Sequence, residues 1–396
     1  MLLCTLTALG ADASLPAPKS APAADTVSVK LVTFYPGNEP FEVFGHSEIR
    51  VTQGTADYYF NYGVFDFNSP NFIFRFVLGE CDYLCVAYPR QVELAGHAGR
   101  RMEEQSLNLT QQQACAVRDF LLNNVRPENS EYRYKFLTDN CSTRPRDIVE
   151  MAAGPGLDYG TLSGGMTYRD ILADCCRHYS WEKFGIDLVL GSAVDTVLSV
   201  RAQMFVPMLL HDAVAQATVL RDGRRVPLVS DTQVVIDGSV RGQELPPTPW
   251  WCHPLTVALV VLALTIWVTV ADVRRRRVTR WYDSTLFGIY GLAGCVIAFL
   301  LLFSTHEAVS PNWNIVWLHP LLLLLAVLPW RKASRRLARW LHVANAVLVA
   351  LLLLAMPWVP QVMNAAFYPL MCASVARSVA NAVLLARPIR APAPKG

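Results

Sequence analysis

The hydrophobic pattern of the chain changes once, and the change divides it. Across residues 27–237 apolar positions alternate with polar ones or recur at helical spacing. From about Leu255 onward they gather into long runs almost free of charge. The first pattern belongs to a water-facing domain with a core, the second to helices in a bilayer.

In the first part, Val27-Ser28-Val29-Lys30-Leu31-Val32-Thr33-Phe34 alternates and ends at Tyr35-Pro36-Gly37, a strand and its stop. Residues 44–51, 58–63, 72–78 and 132–136 read as further strands. Residues 108–125 read as a helix, because Leu109, Cys115, Ala116, Phe120 and Leu121 recur near the helical period. A second helix is expected at 148–153. Residues 166–213 look mostly helical, with Gly185 and Gly191 as breaks, and 217–237 return to short strands. Strands cluster first and helices follow, which predicts an α+β domain rather than a doubly wound one.

In the second part five apolar segments stand out, at 254–270, 286–303, 315–328, 343–359 and 363–385. A span needs roughly 20 apolar residues. The third segment is short, and the fifth contains Arg377, which predicts a tilted, irregular or shorter helix there. Arg274 to Arg277 and Arg280 fall between the first and second segments. Arg331, Lys332, Arg335, Arg336 and Arg339 fall between the third and fourth, and Arg387, Arg390 and Lys395 follow the fifth. The loops at 304–314 and 360–362 carry no Lys or Arg. The positive-inside rule therefore puts the basic segments in the cytoplasm and the N-terminal domain outside. Leu245-Pro246-Pro247-Thr248-Pro249 is a stiff linker, and Trp250 and Trp251 suit an aromatic belt at the membrane edge.

Composition adds limits. The chain has 396 residues, 53% of them hydrophobic, and a net charge of only +3, so nothing points to a nucleic-acid partner. Residues 2–11 resemble the apolar core of a signal peptide, with a small-residue cleavage site at Ala11-Asp12-Ala13 and no basic stretch before it. Three parts result: 1–24, signal peptide and linker; 25–244, an exported domain; 245–396, an all-α transmembrane domain of five helices. The outward part holds Cys81, Cys85, Cys115, Cys141, Cys175, Cys176 and Cys252, seven in all. In an oxidising compartment six can pair and leave one free thiol. Neither a CxxC…CxxC nor an HExxH spacing occurs, so no metal and no cofactor are expected.

Cys141 is the candidate for the free thiol. It lies in Thr138-Asp139-Asn140-Cys141-Ser142-Thr143-Arg144-Pro145-Arg146-Asp147, between a strand-like and a helix-like run. A thiol at a helix N-terminus meets free amides and the positive end of the helix dipole, which favour the thiolate. A nucleophilic cysteine also needs a base. His46 sits on an expected strand in Phe44-Gly45-His46-Ser47, and Asn61 on the next, where it can orient an imidazole as in Cys-His-Asn sites. Backbone amides at the start of the Cys141 helix are candidates for an oxyanion hole. Arg144 and Arg146 have two readings, a site for a phosphate headgroup or structural salt bridges.

The order His, polar residue, Cys is reversed from papain and matches the circularly permuted papain-like (NlpC-like) folds. Phe44-Gly45-His46-Ser47, Phe60-Asn61-Tyr62-Gly63-Val64-Phe65-Asp66-Phe67 and Asp139-Asn140-Cys141-Ser142-Thr143-Arg144 resemble the signature blocks of the Lnb-type periplasmic domain. That domain begins a family of bacterial lipoprotein N-acyltransferases. Residues 184–191, and His306 with Pro311-Asn312-Trp313-Asn314, also resemble family blocks. Glu48 and Pro145 depart from the pattern, where a small and an aliphatic residue are expected. The resemblance implies acyl transfer through a Cys141 thioester to the α-amine of a lipoprotein N-terminal cysteine. It implies a phospholipid or diacylglyceryl donor, lipoprotein acceptors, the bilayer as partner, and a place in the bacterial inner membrane with the N-terminal domain in the periplasm. It implies Cys141, His46 and Asn61 as catalytic residues, with Ser47, Asn140, Arg144, Arg146, His306, Asn312 and Asn314 in support or in substrate binding. His306 can contact a headgroup, help the amine lose its proton, or be an ordinary loop histidine. Two alternatives stand beside acyl transfer: an exported papain-like peptidase or amidase acting on peptidoglycan, and a non-catalytic lipid- or lipoprotein-binding membrane protein.

Overall fold

The computed structural model describes residues 26–37, 39, 42–65, 70–160, 164–238 and 246–386. The signal-peptide expectation for 1–24, Asp66 and Phe67 of the Asn61 block, Leu245 of the linker, and the basic residues Arg387, Arg390 and Lys395 lie outside the described residues.

The strands are β1 (Ser28–Phe34), β2 (His46–Gln53), β3 (Ala56–Val64), β4 (Asp82–Pro89), β5 (Met102–Leu107), β6 (Glu131–Arg133), β7 (Thr218–Arg221), β8 (Arg224–Pro227) and β9 (Val229–Ile236). Seven form one antiparallel sheet in the order β6-β4-β3-β2-β1-β5-β9, and β7 with β8 makes a separate hairpin. The outer-domain helices are α1 (Phe72–Leu78), α2 (Arg90–Gly96), α3 (Gln111–Asn124), α4 (Pro127–Ser130), α5 (Thr143–Ala153), α6 (Tyr168–Cys175), α7 (Ser180–Val189), α8 (Val200–Gln203) and α9 (Pro207–Gln216). This is the expected α+β domain.

The alternation of β1 and β2 explains the layers. Val29 pairs with Val51 and Leu31 with Ile49. These four enter a core with Val117 and Leu121 of α3 and Ile148 and Val149 of α5. The opposite face carries Val32, Phe34 and Tyr59, covered by Leu94 of α2. Successive side chains leave a strand on opposite faces, so one sheet serves both helical layers.

One expected strand is a helix. Residues 72–78 form α1, between Asn71 at φ 57° and Gly79 at φ 79°; the Gly79 amide donates to Arg75 O and Phe76 O. A left-handed glycine closing the last turn is a helix C-cap. A short unbroken apolar run carries no period that separates helix from strand, and here the flanking residues decide. The Phe74 ring lies 6.0 Å from that of Phe299 in the membrane domain. The strand expected over 132–136 is confined to Glu131–Arg133, because residues 135–139 turn back in a Lys135–Asp139 bridge.

The membrane domain comprises α10 (Pro254–Arg275), α11 (Arg280–Phe303), α12 (Leu322–Val327), α13 (Arg335–Ala355) and α14 (Phe367–Ala386). Four of these, α10, α11, α13 and α14, are long and apolar enough to cross a membrane. The third expected span is not a continuous helix. It runs as a 3-10 turn at Trp313–Val316, the short α12, and a second 3-10 turn at Leu328–Trp330. Pro320 and Pro329 interrupt it, since proline lacks the amide that a continuous helix requires. The broken segment still follows α11 along its length. A Cβ on Gly294 would lie 2.7 Å from Leu318 O, a Cβ on Gly291 2.7 Å from Leu323 N, and Ser284 Oγ donates to Ala326 O at 2.6 Å. Small residues permit this approach.

In the fifth segment the helix is regular and begins at Phe367, later than the expected 363. The Arg377 guanidinium is fully buried and donates to Asp283 at 2.7 Å and Asp272 at 3.0 Å. Asn381 adds a bond to Asp283 at 2.9 Å. The charge is matched by carboxylates on α10 and α11, so it needs no distortion of its own helix.

The cysteines also differ from expectation. None of the nine described cysteines is in a disulfide, so the six outward thiols do not pair. Cys81 and Cys85 lie along one extended stretch, and four residues of strand separate Cα atoms by about 13 Å, beyond disulfide reach.

Candidate active site

His46 is the first residue of β2 and follows Gly45, whose φ is +77°. The imidazole Nε2 lies 3.0 Å from Asn61 Oδ1 and 3.3 Å from Glu48 Oε1. Asn61 is itself fixed, because Oδ1 accepts from the Gly63 amide at 2.6 Å. Gly63 makes room for the ring: a Cβ there would lie 2.5 Å from His46 Cε1. With Nε2 held by Asn61, Nδ1 is the nitrogen left for the thiol.

Cys141 is half-buried in the tight turn before α5. Asn140 builds that turn. Its Nδ2 donates to Phe136 O at 2.7 Å and Phe205 O at 2.9 Å, and its Oδ1 accepts from the amides of Ser142 and Thr143 at 2.8 and 2.9 Å. Asn140 thus caps the helix and positions Cys141. It also occupies two of the amides expected to form an oxyanion hole.

Cys141 and His46 interact. Burial alone would push the imidazole pKa down, but the charge of a Cys141 thiolate and a hydrogen bond to it outweigh that. With help from Asn61 they raise it above its ordinary value. Tyr83, Tyr132 and Tyr134 surround the thiol. Burial, reinforced by the charge at Cys141, pushes all three phenols upward and keeps them neutral. The rings of Tyr83 and Tyr134 stack at 4.1 Å.

The remaining expected residues, Ser47 excepted, have structural partners. Ser47 is fully buried away from this cluster, and its hydroxyl has no partner among the described residues. Arg144 forms a two-bond pair with Asp139 at 2.6 and 2.9 Å and lies 3.9 Å over the Tyr132 ring. Arg146 is buried and donates to Asp147 Oδ1 and Arg201 O. Both arginines are thus in salt bridges. Asn312 and Asn314 cap a helix across the domain boundary. Asn312 donates to Leu188 O and Val189 O, and Asn314 to Asp187 O and Leu188 O, at 3.0 to 3.1 Å. These are the carbonyls that the end of α7 leaves without helical partners.

Residues 16–174 match the family model of the Lnb N-terminal periplasmic domain, and residues 247–388 match that of the Lnb transmembrane domain. The chain belongs to the Lnb family. No curated protein and no solved structure matches it.

As an Lnb protein it is a lipoprotein N-acyltransferase-type membrane protein, with a periplasmic-type domain on a helical membrane domain. The two Lnb halves meet close to the site. A cavity of about 280 Å³ is lined by Tyr134, Lys135 and Thr138 from the outer domain and by Thr305, His306 and Glu307 from the loop after α11. His306 Nε2 lies 2.8 Å from Phe76 O, and the Thr305 amide donates to Leu78 O at 2.8 Å, which seats α1 on that loop. His306 is thus on the wall of a cavity that shares Tyr134 with the surroundings of Cys141.

Sequence reasoning missed the part played by Gly63 and Tyr134, and the burial of Glu48 and Glu93 together beside His46. Gly63 sits two residues after Asn61 in the quoted family block, which was a usable signal. Glu93 lies in the helical run of α2 and carries no local mark.

Proposed function

We propose that Cys141 is the nucleophile of a two-step acyl transfer and His46 its general base, with Asn61 orienting the imidazole. The observation that carries this reading is the Cys141–His46–Asn61 constellation, in an Lnb domain with a cavity at the membrane-domain junction lined by Tyr134 and Thr138. His46 takes the thiol proton through Nδ1, and the thiolate attacks an ester carbonyl of a phospholipid or diacylglyceryl group. The tetrahedral intermediate collapses, the C–O bond breaks, and His46 returns the proton to the departing alkoxide. A thioester on Cys141 and a lysolipid alcohol result. The α-amine of a lipoprotein N-terminal cysteine then attacks the thioester. His46 accepts the amine proton and delivers it to the leaving thiolate, which gives the amide and restores the thiol.

The amide of Cys141 and the N-terminal end of α5 would face the developing oxyanion. An acyl-chain enzyme has to meet its substrate at the bilayer, and the four long helices and the broken crossing keep it there. The reading places the protein in a bacterial inner membrane with the outer domain in the periplasm, in agreement with the basic connections between the helices.

Replacing Cys141 by Ala tests it. In a strain whose lipoprotein N-acylation depends on this protein, mass spectrometry of lipoprotein N-termini is expected to find free amines with Cys141→Ala and acylated ones with the wild type. N-termini that stay acylated in the Cys141→Ala strain would sink the proposal. Wild-type protein quenched in acid is expected to carry one acyl chain on the Cys141 peptide.

A further inference from the structure

Of the three tyrosines around the thiol, Tyr134 has a hydroxyl that the fold does not use. Its amide donates to Cys81 O at 3.0 Å, and its ring stacks on Tyr83 at 4.1 Å with 16° between the planes. The chain then reverses. The Lys135 amide donates to Asp139 O at 2.9 Å and the Asp139 amide to Lys135 O at 3.0 Å, which returns Asn140 and Cys141 beside Tyr134. Among the described residues the Tyr134 hydroxyl makes no hydrogen bond. Tyr134 lines the cavity of about 280 Å³ at the junction of the two domains. The other two tyrosines differ: the Tyr132 hydroxyl donates to Tyr62 O, and Tyr83 is a core residue that does not line that cavity. On the same wall Arg133 is paired with Asp82, Lys135 with Glu307, and His306 with Phe76 O.

A free hydroxyl matters here because the turn is short of donors. Asn140 Oδ1 accepts from the amides of Ser142 and Thr143, so neither is open to a developing oxyanion. Such an oxygen calls for preorganised, uncommitted donors about 3 Å away. A phenol can donate only while it keeps its proton. Burial pushes the Tyr134 phenol well above its ordinary value, and the charge at Cys141 adds to this, ahead of Tyr83 and Tyr132. The group therefore stays neutral, and the thiol is the foremost charge acting on it.

We propose that the Tyr134 hydroxyl is the side-chain donor of the oxyanion hole, meeting the carbonyl oxygen of the ester, and later of the thioester, from the side of the junction cavity. This deepens the acyl-transfer reading above and rests on it. As the Cys141 sulfur forms its bond to the carbonyl carbon, the C=O π pair moves onto oxygen. The Tyr134 O–H donates to that oxygen and keeps its own proton. When the intermediate collapses the pair returns, the C–O bond to the alcohol breaks, and His46 supplies the alcohol's proton. In the second step the same hydroxyl holds the oxyanion that forms when the amine attacks, and the C–S bond is the one that breaks.

The test compares two reactions of one thiol in the full-length protein in detergent. Hexadecanal takes the Cys141 sulfur reversibly as a hemithioacetal, a tetrahedral adduct with its oxygen where the ester oxygen would be and no group to expel. Its affinity is read as protection of the Cys141 peptide from iodoacetate, followed by mass spectrometry. Iodoacetate itself is attacked at a saturated carbon and forms no oxyanion. Its rate rises as Cys141 ionises and falls as His46 loses its proton. Tyr134→Phe keeps the stacked ring and removes the donor. In this variant hexadecanal affinity is expected to fall roughly tenfold or more, and acylation of Cys141 by a phospholipid in mixed micelles about 100-fold. The iodoacetate rate and its pH window are expected to match wild type. Equal hexadecanal affinity in the two proteins would overturn the proposal. So would an iodoacetate rate that falls as far as the affinity, which would assign the hydroxyl to the thiolate, and so would hexadecanal that protects neither protein. If hexadecanal separates the two proteins while the phospholipid leaves no thioester on wild-type Cys141, the acyl-transfer reading falls and the oxyanion donor stands.

Discussion

At the scale of single residues, the site depends on how little space surrounds one imidazole. Gly63 lies under His46 Cε1, where any Cβ would come within 2.5 Å. Gly63→Ala therefore moves the ring, not the chain. A displacement of this kind costs on the order of 100-fold in rate when the base must meet a nucleophile within hydrogen-bond reach. We expect acyl-enzyme formation, followed by the mass of the Cys141 peptide, to fall by about that factor while the melting temperature stays within a few degrees of wild type. A variant that melts far lower would show that the glycine serves the sheet instead. Cys141 and His46 themselves were legible in the sequence, because a thiol in a polar strand-to-helix turn and a histidine after a glycine carry local signals. Ser47, Arg144 and Arg146 carried similar signals; Ser47 is buried and the two arginines are in salt bridges. Whether a polar side chain meets a substrate or another part of the chain depends on its neighbours in space.

At the scale of elements, one asparagine organises the turn that holds the nucleophile. Asn140 satisfies two carbonyls, from Phe136 and Phe205, and two amides at the start of α5. Asn140→Ala leaves several buried groups without partners, at a cost of about 1–3 kcal/mol. Thermal unfolding followed by circular dichroism is expected to register a loss of that size, with Cys141 alkylation losing its pH-dependent window. An unchanged melting temperature would contradict the capping role. Elements with a clear period, such as α3 and β1, were readable from the sequence. The stretch over 72–78 was not, because its character rests on the left-handed backbone at Asn71 and Gly79. The third membrane segment was foreshadowed only by its shortness, although Pro320 stands in it and Pro329 directly follows it.

At the scale of the whole molecule, the contacts that fasten the outer domain to the membrane domain include those at α7 and at α1. Asn312 and Asn314 cap α7, and Gln361 joins them by donating to Leu190 O at 3.2 Å and Asn312 Oδ1 at 3.3 Å. Thr305 and His306 hold α1. Asn314→Leu removes buried bonds across the first contact. We expect limited proteolysis to cut the 246–253 connection faster, and lipoprotein N-acylation to fall more than tenfold, while Cys141 keeps its reactivity toward iodoacetate. Equal losses of thiol reactivity and acylation would show that the clamp supports the fold of the outer domain and not its placement.

The sequence by itself determined the division into a water-facing α+β domain and a membrane domain, because burial in a core and burial in lipid demand different hydrophobic patterns. It also determined the family, because the blocks around His46, Asn61 and Cys141 are local strings. Only the tertiary structure decided that Glu48 and Glu93 form a buried pair beside His46, since they lie on a strand and a helix that meet across a sheet face. It alone decided that Arg377 is matched by Asp272 and Asp283, and that Asn312 and Asn314 cap a helix more than a hundred residues earlier. Contacts between distant segments leave no period and no spacing in the chain; they exist only once the backbone has brought those segments together.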